Sequence, residues 1–385
     1  DVVMVDTGNS YEGLCEYVGG KYISYTDEHP ITMNPFAIKR EELNIEKIGF
    51  LKNLIMLIWK GTQGEVTKTE DRLVEQVITE YFDEYFVKKR IDNLSFNTFY
   101  EYSTVRIPTI IKENNLAGID LAAYNYLLKD FYQGGSHELT LNENLDTKLF
   151  DETFIVFEID SIKDDPLLFP LVTLIIMDVF IQKMRIKKNR KVLVIEEAWK
   201  AIASPMMAEY IKYLYKTARK FWASVGVVTQ EIQDIVGSPI VKEAIINNSD
   251  VVMLLDQAKF RERFDEIKAI LGLTDVDCKK IFTINRLENK EGRSFFREVF
   301  IRRGSVGAVF GVEEPHECYM TYTTERAEKE ALKLYKKELQ CDHQHAIEAY
   351  CRDWELSGIS KSLPFAQKVN QTGHVLHLTP HNQSE

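Results

Sequence analysis

The sequence predicts an α/β fold: a mainly parallel sheet with helices on both faces, plus an all-α inserted subdomain. Three observations predict it. Short, almost continuously apolar runs recur at 153–159, 191–196, 224–230 and 250–256, the pattern of strands covered on both faces. Helical periodicity fills the intervals at 166–187, 205–221 and 231–247. Between 40 and 148 no such strand occurs. Apolar residues there fall at i, i+3, i+4 and i+7, as in Leu73, Val77, Ile78, Tyr81, Phe82 and Tyr85.

Taken in order, residues 1–6 read as a strand ending at Asp6, with a turn at Gly8-Asn9 and a short helix to Val18. "KYISYT" (21–26) is a second strand and "HPITMNPF" (29–36) a Pro-broken loop. Helices are expected near 41–60, 69–90, 95–114 and 119–132. After the βα alternation come helices near 260–271 and 275–285, and a hairpin over 294–312 turning at Gly304-Ser305. Two helices, 324–340 and 343–356, precede a polar tail. The expected organisation is a core over 1–39 and 149–323, a helical insertion over 40–148, C-terminal helices over 324–356 and a flexible tail over 357–385.

The 385 residues are 45% hydrophobic and 28% charged, a globular composition with room for two or three domains. A net charge of -11 excludes a general basic field for nucleic acid. One basic cluster, "KMRIKKNRK" (183–191), reads as a solvated helix end or as a contact for a partner or nucleic acid. Five scattered cysteines suit a reducing compartment better than a disulfide framework. Cys341, His343, His345 and Cys351 tempt a zinc reading, but on a helix His343 points away from Cys341 and His345. The longest apolar run, 167–181, is shorter than a membrane span and contains Asp178, which makes it a buried helix.

Chemistry concentrates in "KVLVIEEAWK" (191–200), where a buried strand delivers Glu196 and Glu197 to the carboxyl edge of the sheet. Phosphoryl transfer needs one acid near a metal and one that orients water, and adjacent residues at a strand end point to opposite sides. Two solvated carboxylates at a strand terminus are the plain alternative. One βα unit later a strand ends in Thr229-Gln230, a polar end suited to a γ-phosphate or simply to a helix cap. Arg219 closes the intervening helix, where it can stabilise a transferring phosphoryl group in a neighbouring subunit or merely favour the helix C-terminus. Arg261, Arg263, Arg302 and Arg303 compete for that role. No G-x-x-x-x-G-K-[ST] loop is present. At Gly19-Gly20-Lys21, Cys15 stands where the first glycine belongs and Tyr22 where Ser or Thr should be. The opening "DVVMVDTGNSYEG" starts inside a strand, so the expectation is that the loop lies upstream.

"VVMVDTGNSYEGLCEYVGGKYI", "ITMNPF", "VLVIEEAWK" and "ARKFWASVGVVTQ", in that order, resemble the C-terminal ATPase domain of TraG-type conjugation ATPases of conjugative transposons. These are type IV secretion assembly ATPases of the FtsK/HerA class. The resemblance covers roughly 1–340 and implies a P-loop NTPase-like core of RecA or FtsK/HerA type, truncated just after its P-loop. It implies Glu196 and Glu197 as the acidic pair, Gln230 as the sensor and Arg219 as the trans arginine. Glu196 stands where the first acid is usually Asp, which weakens its claim to ligate Mg directly.

The resemblance further implies that the intact protein uses ATP and Mg to power type IV secretion, as a homo-oligomer, a hexamer, at the cytoplasmic inner face of the bacterial inner membrane, with other secretion proteins as partners. This chain, lacking the loop, is expected to hold no cofactor and to be inactive alone. The rival readings are a non-catalytic scaffold that docks secretion proteins and a DNA-pumping coupling protein.

Overall fold

A computed structural model of the chain describes residues 1–89, 93–144, 147–197, 205–230, 245–285 and 296–376. Two compact units divide the chain: one of residues 1–7 and 23–245, the other of 8–22 and 246–385.

The first unit holds a five-stranded sheet in the order β2-β3-β1-β4-β5. Its strands are β1 (Val2–Asp6), β2 (Lys21–Ser24), β3 (Phe154–Glu158), β4 (Lys191–Ile195) and β5 (Ala223–Val227). β1 pairs parallel with β3 and with β4, and β4 parallel with β5, as the apolar runs led one to expect. Val3, Val5, Ile155, Leu193 and Ile195 are fully buried in the body of this sheet. Each pairing supplies backbone hydrogen bonds, so burying the strands leaves their amides satisfied.

An α-helical region fills most of residues 45–142 of this unit: α2 (Ile45–Lys60), α3 (Lys68–Phe82), α4 (Phe96–Glu113), α5 (Leu121–Leu128) and α6 (Glu138–Asn142), with α1 (Glu12–Tyr17) lying in the other unit. The helix starts are legible in the side chains. Asn44, Ser95 and Asp120 cap α2, α4 and α5, and Thr67 with Glu70 forms a capping box on α3. α4 continues through Pro108, so that proline does not end the helix. The "ITMNPF" segment belongs to this packing. Phe36 is fully buried, 4.8 Å from Phe99 and 5.9 Å from Tyr81 between ring centroids, and the Asn34 amide donates to the Leu94 carbonyl at 2.8 Å.

Beneath the sheet runs α7 (Leu168–Ile186), apolar on every side and buried along nearly its whole length, as an all-round apolar helix must be. Asp178 is its exception, and the fold accounts for it. Its carboxylate meets the Lys47 ammonium of α2 at 2.8 Å and accepts from the Gln182 amide at 2.7 Å, with both charged side chains under a tenth exposed. The pair ties the helical region to α7. α8 (Pro205–Thr217) then leads through a 3₁₀ turn, Ala218–Phe221, into β5.

The second unit contains a three-stranded sheet, β6 (Val251–Leu254), β7 (Phe296–Arg303) and β8 (Val306–Glu313). The hairpin turns at Gly304, whose φ of 58° lies in the left-handed region glycine tolerates. Here one strand departs from expectation: 250–256 reads as another parallel strand, yet β6 pairs antiparallel with β7. The physical reason is that an apolar run carries no information on its partner's direction, and here not on burial either, since β6 alternates exposed and half-buried residues. α9 (Phe264–Leu271) and α10 (Asp275–Ile281) follow β6.

α11 (His316–Tyr322), α12 (Arg326–Leu339), α13 (His343–Leu356) and α14 (Ser362–Thr372) complete the chain's described elements. α14 corrects the expectation of a flexible tail from 357. Phe365, Ala366 and Val369 are fully buried with Tyr335 and Tyr350, a helical spacing that the surrounding polar residues mask. α1 packs on α11 so closely that a Cβ at Gly13 would lie 2.6 Å from the Thr321 carbonyl oxygen. The zinc candidates find other surroundings. His343 lies 3.4 Å from Glu16, His345 bonds Asp342 at 2.7 Å, and Cys351 is buried. The expected helix over 231–247 lies outside the described residues except for its last three.

Candidate functional site at the carboxyl edge of the parallel sheet

Parallel strands end on one edge, so the residues that follow them converge there. β4 ends at Ile195, and the pairing runs one step further through Glu196 N–H to the Val5 carbonyl at 3.1 Å. The neighbouring strand extends likewise, with Val228 N–H donating to the Ile195 carbonyl at 2.9 Å. These two bonds fix where Glu197 and Gln230 emerge. The Gln230 Nε2 donates to Glu197 Oε1 at 2.9 Å, so two residues chosen separately from the sequence meet in space.

Glu197 has φ 49°, in the left-handed region. For a residue with a Cβ that conformation costs roughly 1–2 kcal/mol, and such outliers gather at functional sites. With that turn Glu197 reaches the β5 side of the edge, where Gln230 follows the strand.

Sequence reasoning gave no role to two further acids on the same edge. Asp6 ends β1 and Glu158 ends β3, and the register pairs them directly. Both are almost wholly buried, at 0% and 2% exposure. Glu158 accepts from the Asp160 N–H at 2.7 Å, and Asp6 carries its strand on by accepting from Ile159 N–H at 2.9 Å through its carbonyl. Glu196 stands one position past the Val5–Ile195 pair, so Glu158, Asp6 and Glu196 form one row. The signal was present: "VVMVD" and "FIVFE" end in an acid just as "KVLVIEE" does, but a single carboxylate after an apolar run attracts less notice than two.

Arg219 is not brought to this edge. It lies in the turn that precedes β5, at the amino end of the sheet, and is exposed. At about 3.3 Å per residue, a five-residue strand separates it from Gln230 by roughly 16 Å. Among its competitors, Arg261 stacks 4.8 Å over the Phe282 ring and Arg302 donates to the Gly272 carbonyl at 3.0 Å.

Among the described residues no three His, Cys, Asp or Glu side chains form a metal cage of their own. Magnesium rarely uses one. It takes one or two carboxylates and completes its octahedron with phosphate and water oxygens. The partly buried Glu196, beside Asp6 in the register, suits that kind of ligation.

An α/β sheet whose carboxyl edge gathers acids and a polar strand end has the layout of the P-loop ATPases. The chain belongs to the TraG P-loop domain family, whose description matches residues 1–354. These are P-loop ATPases of conjugation and type IV secretion. It is 24% identical over 282 residues to Protein TraC of Escherichia coli (strain K12), an alignment covering 69% of this chain and 30% of that protein. The chain thus spans less than a third of that relative's length. In fold it is similar to VirB4 of Thermoanaerobacter pseudethanolicus, with TM-score 0.58, 20% identity and 82% of each chain covered. It is also similar to the bacterial conjugative coupling protein TrwBdeltaN70 in its unbound monoclinic form, with TM-score 0.50, 11% identity, and 82% and 78% covered. Among the described residues no helix is long and apolar enough to cross a membrane.

Proposed function

We propose that the chain is the catalytic-edge portion of an ATP-hydrolysing motor of a conjugative type IV secretion system, with its phosphate-binding loop supplied by sequence upstream of Asp1. The observation that carries this reading is the hydrogen bond between Gln230 and Glu197 at the carboxyl edge, formed by a Glu197 held in a strained backbone. Glu197 orients the attacking water and accepts its proton. Gln230, bonded to that carboxylate, faces the γ-phosphate and registers its loss. Glu196 would hold the magnesium ion that accompanies the nucleotide. That ion would supply charge stabilisation on the phosphate oxygens.

Arg219 serves a neighbouring subunit. Its place at the far end of the sheet keeps it from its own site and leaves it exposed for another copy. The intact protein then works as a ring, a hexamer, at the cytoplasmic face of the inner membrane, with other secretion proteins as partners. A conjugative transposon is its proposed genetic setting.

The test uses the protein with its phosphate loop. Glu197→Gln is expected to lower ATP turnover on the order of 10² or more while ATP binding persists, because a water-orienting carboxylate acts in the transition state. Turnover at the parent rate would remove Glu197 from the mechanism.

A further inference from the structure

Between α2, α7 and α8 the first unit leaves a cavity of about 190 Å³. Its floor is the buried Lys47–Asp178 pair, and Phe50, Ile181, Tyr210 and Tyr213 give it a mainly apolar wall. The exposed Glu46 and Arg185, paired with each other, stand at its mouth. The cavity shares no residue with the carboxyl-edge site.

Two features mark the space as more than a packing fault. Gly49 sits inside α2, where alanine would favour the helix, and a Cβ there would meet nothing within 4 Å. The missing side chain keeps the cavity open. Tyr210 is the second feature. It is 7% exposed, yet its hydroxyl makes no hydrogen bond among the described residues, where a buried hydroxyl ordinarily finds a partner. Burial pushes that hydroxyl well above the usual tyrosine range, and the nearby Asp178 carboxylate adds to it.

The floor is only half used. Lys47 donates to Asp178 Oδ2 at 2.8 Å, and Gln182 donates to the same oxygen at 2.7 Å. Among the described residues Asp178 Oδ1 accepts from no donor. No second acceptor meets the Lys47 ammonium, which lies 4.5 Å from the centroid of the Phe50 ring. A donor and an acceptor are thus on offer side by side, with the Tyr210 hydroxyl as a third polar group.

We propose that this cavity binds a small phenol, its ring against Phe50 and Tyr210 and its hydroxyl between the Lys47 ammonium and Asp178 Oδ1. Size selects a single ring, since a cavity of about 150 Å³ takes benzene. The aromatic wall selects a ring over an aliphatic chain, because stacked or edge-on rings gain beyond the area they bury. The floor selects a neutral head group. The Lys47–Asp178 pair is already balanced, so a carboxylate would be repelled by Asp178 and an ammonium by Lys47, each buried without a counter-charge of its own. A hydroxyl accepts from the one and donates to the other. The proposal does not depend on the proposed hydrolysis.

The test is isothermal titration calorimetry of p-cresol into the 385-residue chain. Binding is expected with a dissociation constant on the order of 0.1–1 mM, as suits a ligand of this size. p-Toluate and p-methylbenzylamine bind at least roughly tenfold more weakly. Toluene, and p-cresol with Tyr210→Phe, each lose about threefold to tenfold, the worth of a hydrogen bond. Gly49→Leu fills the space and abolishes binding, with an unfolding midpoint no lower than the parent's. Absence of p-cresol binding at millimolar concentration, which would mean a cavity that holds water only, overturns the proposal. Equal affinity for toluene or for the charged analogues, or unchanged affinity in Tyr210→Phe, does the same. So does undiminished binding in a folded Gly49→Leu, which would put the site elsewhere.

Discussion

At the carboxyl edge of the five-stranded sheet stand Glu158, Asp6, Glu196, Glu197 and Gln230; at the amino edge stand Arg190, Arg219, Lys220 and Trp222. The two ends are separated by one strand length of largely buried apolar residues, yet their charge is opposite. Each also holds a non-glycine residue in the left-handed region, Glu197 at φ 49° and Trp222 at φ 58°. Three of the other four such residues are Asn, which tolerates that conformation, and the fourth, Gln340, ends a helix. Trp222 likewise ends a helical turn as its C-cap, so among the described residues Glu197 is the one such residue that is neither Asn nor a helix end. The packing lies in the body of the sheet, and the proposed chemistry at its carboxyl edge.

That division is open to breaking. The largest expected effect lies in the body, not at the ends. Asp178→Ala leaves the Lys47 ammonium buried without its counter-charge and is expected to cost about 3–5 kcal/mol, read as a lower midpoint in urea unfolding. A loss under 1 kcal/mol would show that the helical region does not rely on this tie.

At the ends the expected effects on stability are smaller and of opposite sign. Glu197→Gly and Trp222→Gly relieve the left-handed strain but loosen the unfolded chain. Each is expected to remain within about 1 kcal/mol of the parent, on the stabilising side. Marked destabilisation of either would mean that the side chain is there for the fold.

The smallest effect concerns pH. Lys183 binds its proton less readily when folded than when unfolded, because burial disfavours its charge. The unfolded chain therefore holds more protons in the window just below the free lysine value of about 10.5, and stability from this residue rises with pH there. Comparing the unfolding midpoint of the parent and Lys183→Met between neutral pH and that window should show a steeper rise in the parent.

How much of this was legible in the sequence differs by element. The parallel strands were, since near-continuous apolar runs such as "KVLVI" and "FIVFE" belong in a sheet covered on both faces. The direction of β6 was not, because an apolar run carries no information about its partner's direction. The helix over 362–372 was hidden because Leu363, Phe365, Ala366 and Val369 are its few apolar positions, with Pro364 among them and polar residues around. At the edge, Glu197 and Gln230 were singled out from strand ends, but their hydrogen bond was not, for it depends on the left-handed turn at Glu197. Asp6 and Glu158 were passed over because their convergence is a matter of register, which one strand alone cannot show. The exposure of Trp222 was equally invisible, since an aromatic before an apolar strand reads as core.

The central claim is that Glu197 and Gln230 act as one unit on the transferring phosphate. The most direct measurement is a double-mutant cycle on ATP turnover in the protein with its phosphate loop, comparing Glu197→Gln, Gln230→Ala and the pair. If the bonded side chains share one role, the double variant turns over no more slowly than Glu197→Gln alone, because residues that act together lose their effect together. Rate losses that multiply would show that the two act independently and would contradict the account.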